Sequence, residues 1–128
     1  MRYYFARMID APFADVVART RGALKAEGFG VITEIDVKQT LKSKIDVEFR
    51  PYLILGACNP AMAHQALLLE DKVGAMLPCN VIVQERSDHC VEVAAIDPVA
   101  SMQAIDNPAL KDKAAEVAGK LRDAVERI

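Results

Sequence analysis

The feature that most constrains the fold is an apolar run from Tyr52 to Cys58 that is followed at once by Asn59 and Pro60. The run has the length of a β-strand, and its continuous apolar character predicts a strand buried on both faces. Asparagine is a preferred N-cap residue and proline is pre-organised for the first helical position. The pair therefore predicts a helix that begins directly behind the strand and continues to about Leu69. A buried strand that leads into a helix favours a layered fold of sheet and helices.

The rest of the chain extends this alternation of strands and helices. β-branched and aromatic residues indicate strands, and apolar positions three and four apart indicate helices. The predicted strands cover residues 2–9, 29–37, 79–85 and 90–96, and the predicted helices cover 12–27 and 108–128. Two segments are less regular. Residues 37–49 are predicted to form a short helix and then a loop, which is a candidate mobile flap, and residues 73–77 a turn or helical piece. The strands at 79–85 and 90–96 form a hairpin that is connected by residues 86–89 and ended by Asp97-Pro98.

The predicted order is β-α-β-(α)-β-α-β-β-α, which is an α+β fold. We expect a mixed or antiparallel sheet of about five strands with helices packed on it. The chain has 128 residues, of which 52% are hydrophobic, and it lacks a linker or an internal repeat. A single domain over residues 1–128 is therefore the expectation.

Charge and hydropathy exclude several function classes. The net charge is −2, so the chain lacks the basic footprint that nucleic acids or anionic membranes attract. No apolar run approaches the roughly 18–20 residues of a membrane-spanning helix, and the first residues lack the apolar core of a secretory signal. Three cysteines, an odd number, favour reduced thiols and a cytoplasmic location.

Two of the three asparagines directly follow a cysteine, in Cys58-Asn59 and Cys79-Asn80. Each pair touches a proline and lies at a predicted strand terminus. A helix N-terminus favours an anion, which would be either a thiolate or a bound carboxylate, phosphate or sulfate. The candidate ligand-binding residues are therefore Cys58, Asn59, Pro60, Cys79 and Asn80.

A catalytic reading of this region has candidates but no defined mechanism. Cys58, Cys79 and His64, which lies about one turn into the helix, are the candidates. Each has a plainer interpretation, because buried free cysteines are usually inert and His64 fits a surface position equally well. Strand order decides whether Cys79 reaches Cys58. Two thiols and one histidine fall short of a closed zinc site, so no metal is predicted, and the residues identify no cofactor.

Several stretches resemble the family known as domain of unknown function 302 (DUF302). The resemblance covers nearly the whole chain and is strongest in the Ala-Cys-Asn-Pro stretch at 57–60, the Pro-Cys-Asn stretch at 78–80 and Ala95-Ile96-Asp97-Pro98. It implies an α+β fold of a small bacterial or archaeal protein that tends to form dimers. It implies no activity, because the family's biochemical role is not established. The residues that it points to are Cys58, Asn59, Pro60, Cys79, Asn80, Asp97 and Pro98.

Three hypotheses about function follow. The first is a domain that binds a small molecule or an anion at a pocket around the two Cys-Asn pairs. The second is a structural or partner-binding dimeric module without catalysis. The third is a thiol-based redox or nucleophilic enzyme that uses Cys58, with Cys79 as a supporting thiol. A homodimer is expected in any case, because an open sheet of about five strands leaves an edge and part of a face that need cover.

Overall fold

The fold combines one antiparallel sheet with helices in an α+β arrangement. In a computed structural model, which describes residues 2–128, the strands are β1 (Tyr4–Ile9), β2 (Gly30–Asp36), β3 (Tyr52–Cys58), β4 (Cys79–Ser87) and β5 (Cys90–Ile96). The helices are α1 (Phe13–Ala26), α2 (Val37–Ile45), α3 (Pro60–Leu69), a 3₁₀ helix η1 (Asp71–Met76), α4 (Pro98–Ser101) and α5 (Pro108–Arg127). The strand order is β1-β5-β4-β3-β2. The α+β prediction and the expected strand number are confirmed.

One face of the sheet carries the main core. Leu55, Val81 and Ala95 lie side by side on neighbouring strands and are fully or almost fully buried. Helices α1 and α5 cover this face, and the predicted apolar stripes supply Val16 from α1 and Leu121 from α5. Each helix thus buries the stripe that its spacing of three and four residues defines.

The opposite face of the sheet is only partly covered. An apolar row crosses all five strands, and its members in order are Ile35, Ile54, Ile82, Ala94 and Ala6. Ile35 is 49% exposed and Ile54 is half-buried. The prediction that β3 is buried on both faces is therefore wrong. A continuous apolar run cannot distinguish a strand between two helical layers from a strand whose second apolar face is open.

The antiparallel pairing of β3 with β4 brings the two cysteines to the same end of the sheet. Ala57, the residue before Cys58, lies opposite Cys79. Helix α3 and η1 carry the chain away from the end of β3 and back to the start of β4. Close packing at this end depends on Gly56, because a Cβ atom there would meet the Pro78 side chain at 2.7 Å.

Two connections differ in detail from the prediction, and a third agrees with it. Asp97-Pro98 does more than end the hairpin, since the Asp97 side chain accepts a hydrogen bond from Val99 N–H and caps α4. Asp97-Pro98 thus has the same role at the start of α4 as Asn59-Pro60 has at the start of α3. The hairpin connection is shorter than predicted, because β4 continues to Ser87 with a bulge before the turn. The short helix in the candidate flap is confirmed as α2, which has no buried residue.

Candidate functional site

A cavity of ≈ 270 Å³ lies at the sheet end where β3 stops and β4 begins. Helices α3 and α5 and the residues at both ends of α4 close it from the sides. Its walls are almost entirely hydrocarbon and sulfur. The lining residues are Phe29, Ile32, Ala57, Cys58, Asn59, Met62, Ala63, Ala66, Leu77, Pro78, Cys79, Pro98, Met102, Leu110, Lys113, Ala114 and Val117.

The start of α3 forms one wall of the cavity. Asn59 is its N-cap, and its Oδ1 atom accepts a hydrogen bond from Met62 N–H at 3.3 Å. Pro60 takes the first helical position, where the absence of an N–H group costs nothing. This start turns Met62, Ala63 and Ala66 toward the cavity. The Asn-Pro signal thus fixes both where the helix begins and which side chains line the space.

The two thiols of the site lie in different surroundings. Cys79 is buried, whereas Cys58 at the end of β3 is half-buried. Burial raises the pKa of the Cys79 thiol to about 11, and the nearby Cys58 adds to the shift because a second negative charge would be unfavourable. Cys79 is therefore a neutral thiol at pH 7. It contributes apolar surface to the wall rather than a nucleophile.

The interior of the cavity and its rim differ in polarity. Phe29, Met102 and Leu110 are buried and form the interior. Lys113 is the only charged residue of the lining, and its side chain is 34% exposed. Its Nζ atom lies 3.4 Å from the Glu116 carboxylate, in a pair that is open to solvent. The cavity therefore joins an apolar interior to a cationic rim.

The structure brings some of the predicted site residues together and separates others. Cys58, Asn59 and Cys79 line the cavity, whereas Pro60 is exposed and does not. Asn80 lies on the opposite face of the sheet, because neighbouring residues in a strand point to opposite faces. His64 is exposed on α3 and is not part of the lining. The two cysteines therefore share one site, whereas the two asparagines do not.

Sequence reasoning missed the contribution of the C-terminal region to this site. Leu110, Lys113 and Ala114 of α5 line the cavity, as does Met102 behind α4. The spacing of apolar residues predicts α5 as a long amphipathic helix and does not indicate that part of its apolar side lines a cavity. Pro98, to which the resemblance pointed, also lines the cavity, and Asp97 caps α4. No sequence pattern indicates that small residues such as Ala114 leave space at the point where α5 packs against α3 and the end of α4.

Among residues 2–128, no group of three or more His, Cys, Asp or Glu side chains is arranged to hold a metal ion. None of the helices in the same residues combines the length and the apolar character that a membrane crossing requires.

Comparison with known proteins agrees with this architecture but assigns no activity. A family model described as "Domain of unknown function DUF302" matches residues 5–128. The crystal structure of an uncharacterised conserved protein DUF302 from Bacillus stearothermophilus is similar, with a TM-score of 0.91 and 27% sequence identity. The match covers 99% of this chain and 98% of that one. No curated protein matches the chain.

Proposed function

The chain belongs to the DUF302 family, and we propose that this member binds a small, largely apolar molecule in the cavity beside Cys58 and Cys79. The observation that carries the proposal is the cavity itself, a space of ≈ 270 Å³ with a lining of mostly apolar side chains. A concave site with a mainly apolar lining and a few polar groups is the usual form of a small-molecule site. The volume lies near the lower end of the roughly 300–1,000 Å³ of ligand sites, so the ligand is small.

The lining favours a molecule with a hydrocarbon body over a bare inorganic anion. A desolvated anion needs several donors. At the α3 terminus, Asn59 already accepts the hydrogen bond of Met62 N–H, and Pro60 has no N–H group to offer. A hydrocarbon group needs no donor and gains from leaving water, by about 25 cal/mol for each Å² of buried apolar surface.

Thiol chemistry has less support from the geometry. Cys79 has a pKa raised to about 11 by burial and by Cys58, so it supplies almost no thiolate at neutral pH. A nucleophilic Cys58 would need a base within hydrogen-bond reach. Neither His64 nor His89 lines the cavity. Binding therefore accounts for the site better than catalysis does.

Binding is tested by a titration with octanol, in which calorimetry measures the affinity and thermal unfolding measures the melting temperature. The melting temperature should rise with octanol concentration, because a ligand that binds only the folded state stabilises it by RT ln(1 + [L]/Kd). Ala63→Phe should abolish binding, since the new ring would occupy the cavity that Ala63 lines. Ala61→Phe, at an exposed position of the same helix outside the lining, is the matched control. Equal binding by both variants would contradict the proposal.

We also propose that the protein is a homodimer that uses the open sheet face. The row from Ile35 to Ala6 is apolar across all five strands, and antiparallel sheets bury such faces by stacking. The same face carries charges of both signs, because Gln84 accepts a hydrogen bond from Arg50 at 2.8 Å and donates one to Glu92 at 2.9 Å. A two-fold axis places identical patches against each other, so a face with both signs can match its own copy.

The dimer is tested by analytical ultracentrifugation. The protein should sediment as twice the chain mass of 14.0 kDa. Ile82→Asp, in the middle of the row, should produce monomers, because a charge at the centre of the interface would be desolvated. Leu68→Asp is the control, since Leu68 is 74% exposed on α3. A monomeric wild type at micromolar concentration would refute this second proposal and leave the cavity proposal standing.

A further inference from the structure

The two polar residues of the cavity lining, Asn59 and Lys113, are both partly exposed. Its interior is formed by buried residues such as Phe29, Cys79 and Leu110. Its less buried lining residues are mostly apolar, for example Ile32 and Val117, and Asn59 and Lys113 lie among them. A ligand that fills the space would therefore contact hydrocarbon and sulfur inside, and hydrocarbon together with two polar groups at the opening. This gradient suits an amphiphile better than a purely apolar molecule.

The polar groups of the rim are donors rather than acceptors. Lys113 carries the one charge of the lining, and an ammonium group has three donors and no acceptor. Asn59 uses Oδ1 to cap α3, which fixes the orientation of its amide and leaves Nδ2 as a donor. Within residues 2–128 that donor makes no hydrogen bond, and it is not among buried atoms that lack a partner. It is therefore not sealed from water, and it lies beside Gly28, 3.1 Å from the position that a Cβ atom of that residue would take.

The Lys113–Glu116 pair does not remove the rim's cationic character. The pair is solvent-exposed, with 34% of the lysine and 52% of the glutamate side chain accessible, at a separation of 3.4 Å. Exposed pairs of this kind contribute little, because water screens them and both side chains lose rotamer freedom. Glu116 does not line the cavity, so a ligand at the rim would face Lys113 directly.

The volume limits the length of the apolar part. A space of ≈ 270 Å³ holds roughly nine non-hydrogen atoms, if each takes about the 30 Å³ of a water molecule in the liquid. A hydrocarbon chain of medium length with a small head group fits this space. Long-chain lipids and folded peptides do not.

From this geometry we infer that the ligand is a medium-chain carboxylic acid, with its chain in the cavity and its carboxylate between Lys113 and the Asn59 amide. The inference rests on the proposed function, because it specifies the ligand class of the same cavity. The carboxylate remains partly in water at the rim, so its charge is not fully desolvated. The acid should be preferred over the alcohol or amine of equal chain length, since only the acid presents an acceptor with a negative charge.

The test measures the affinities of octanoate, octanol and octylamine by calorimetry at a pH of about 7.5, for the wild type and three variants. Octanoate should bind more tightly than octanol by about fivefold or more, and octylamine should bind most weakly. Lys113→Gln should bring octanoate and octanol to similar affinity. Asn59→Asp keeps an equally good N-cap but replaces the amide donor by a negative charge, so it should weaken octanoate and leave octanol unchanged.

The control is Lys120→Gln, which changes the net charge equally at a position of α5 outside the lining. It should leave the order of the three ligands unchanged. Octanol binding as tightly as octanoate to the wild type would overturn the inference while the proposed function stands. A wild type that binds none of the three would overturn both. Equal losses of octanoate affinity in Lys113→Gln and Lys120→Gln would assign the preference to net charge and would also overturn the inference.

Discussion

The two Cys-Asn pairs are alike in sequence but have different structural roles. At Cys58-Asn59 the chain leaves β3 and enters α3, so both residues line the cavity. At Cys79-Asn80 the chain is already inside β4, so Cys79 faces the cavity and Asn80 faces the other side of the sheet. The difference arises from position alone, because side chains alternate within a strand and need not do so where the strand ends. A repeated dipeptide is therefore weak evidence for a repeated role.

The contact between the two pairs depends on the packing around Gly56, and its loss should give the largest effect. A Cβ atom at Gly56 would meet the Pro78 ring at 2.7 Å and would also press on Thr33. Gly56→Ala should therefore destabilise the protein by about 2–3 kcal/mol, the upper part of the range for overpacking. Urea unfolding followed by circular dichroism measures this change.

Gly22→Ala is the matched control for that substitution. Gly22 lies inside α1, and nothing lies within 4 Å of the position where its Cβ would be. Alanine should stabilise the helix there by roughly 0.5–1 kcal/mol. If Gly56→Ala were as well tolerated as Gly22→Ala, close packing would not be what joins the two Cys-Asn pairs.

The burial of Cys79 should give the protein a measurable alkaline sensitivity. Its pKa is raised from the ordinary 9.0 to about 11, first by burial and then by Cys58. The folded state therefore holds this proton more tightly than the unfolded chain does. The resulting stability is present below about pH 9 and is lost as the pH rises toward 11. The loss should be on the order of 2 kcal/mol.

The measurement is the difference in unfolding free energy between wild type and Cys79→Ala over this pH range. The difference removes the titration of lysines and tyrosines, which both proteins share. The alanine variant should be less stable at neutral pH because a buried side chain is truncated, and the gap should narrow as the pH rises. A gap that stays constant from pH 8 to about pH 11 would mean that Cys79 ionises freely.

The cap at Asn59 should give a smaller effect. Asn59→Ala removes the acceptor for Met62 N–H and should cost about 1 kcal/mol, with a weaker affinity for octanol because the cavity wall is less ordered. Asn59→Ser restores an acceptor and should recover most of the stability. A serine variant as unstable as the alanine variant would show that the cap is not what Asn59 contributes.

The sequence was informative wherever one local rule decided the structure. Asn59-Pro60 and Asn107-Pro108 predict the starts of α3 and α5, and the apolar stripe of α5 predicts its buried side. The cavity could not be predicted in the same way, because it depends on the strand order and on how α5 packs against α3 beside Ala114. Strand order also decided that Cys58 and Cys79 share one end of the sheet. Both are long-range properties that no local pattern encodes.

The smallest effect should come from the asparagine that the cavity excludes. Asn80 is exposed on the open face, so Asn80→Ala should change the unfolding free energy by less than about 0.5 kcal/mol. The affinity for octanol should not change, whereas Asn59→Ala lowers it. Calorimetry on the two alanine variants side by side measures this contrast directly. Equal losses of affinity would mean that Asn80 supports the cavity as much as Asn59 does, and strand alternation at the start of β4 would then no longer account for the different roles of the two pairs.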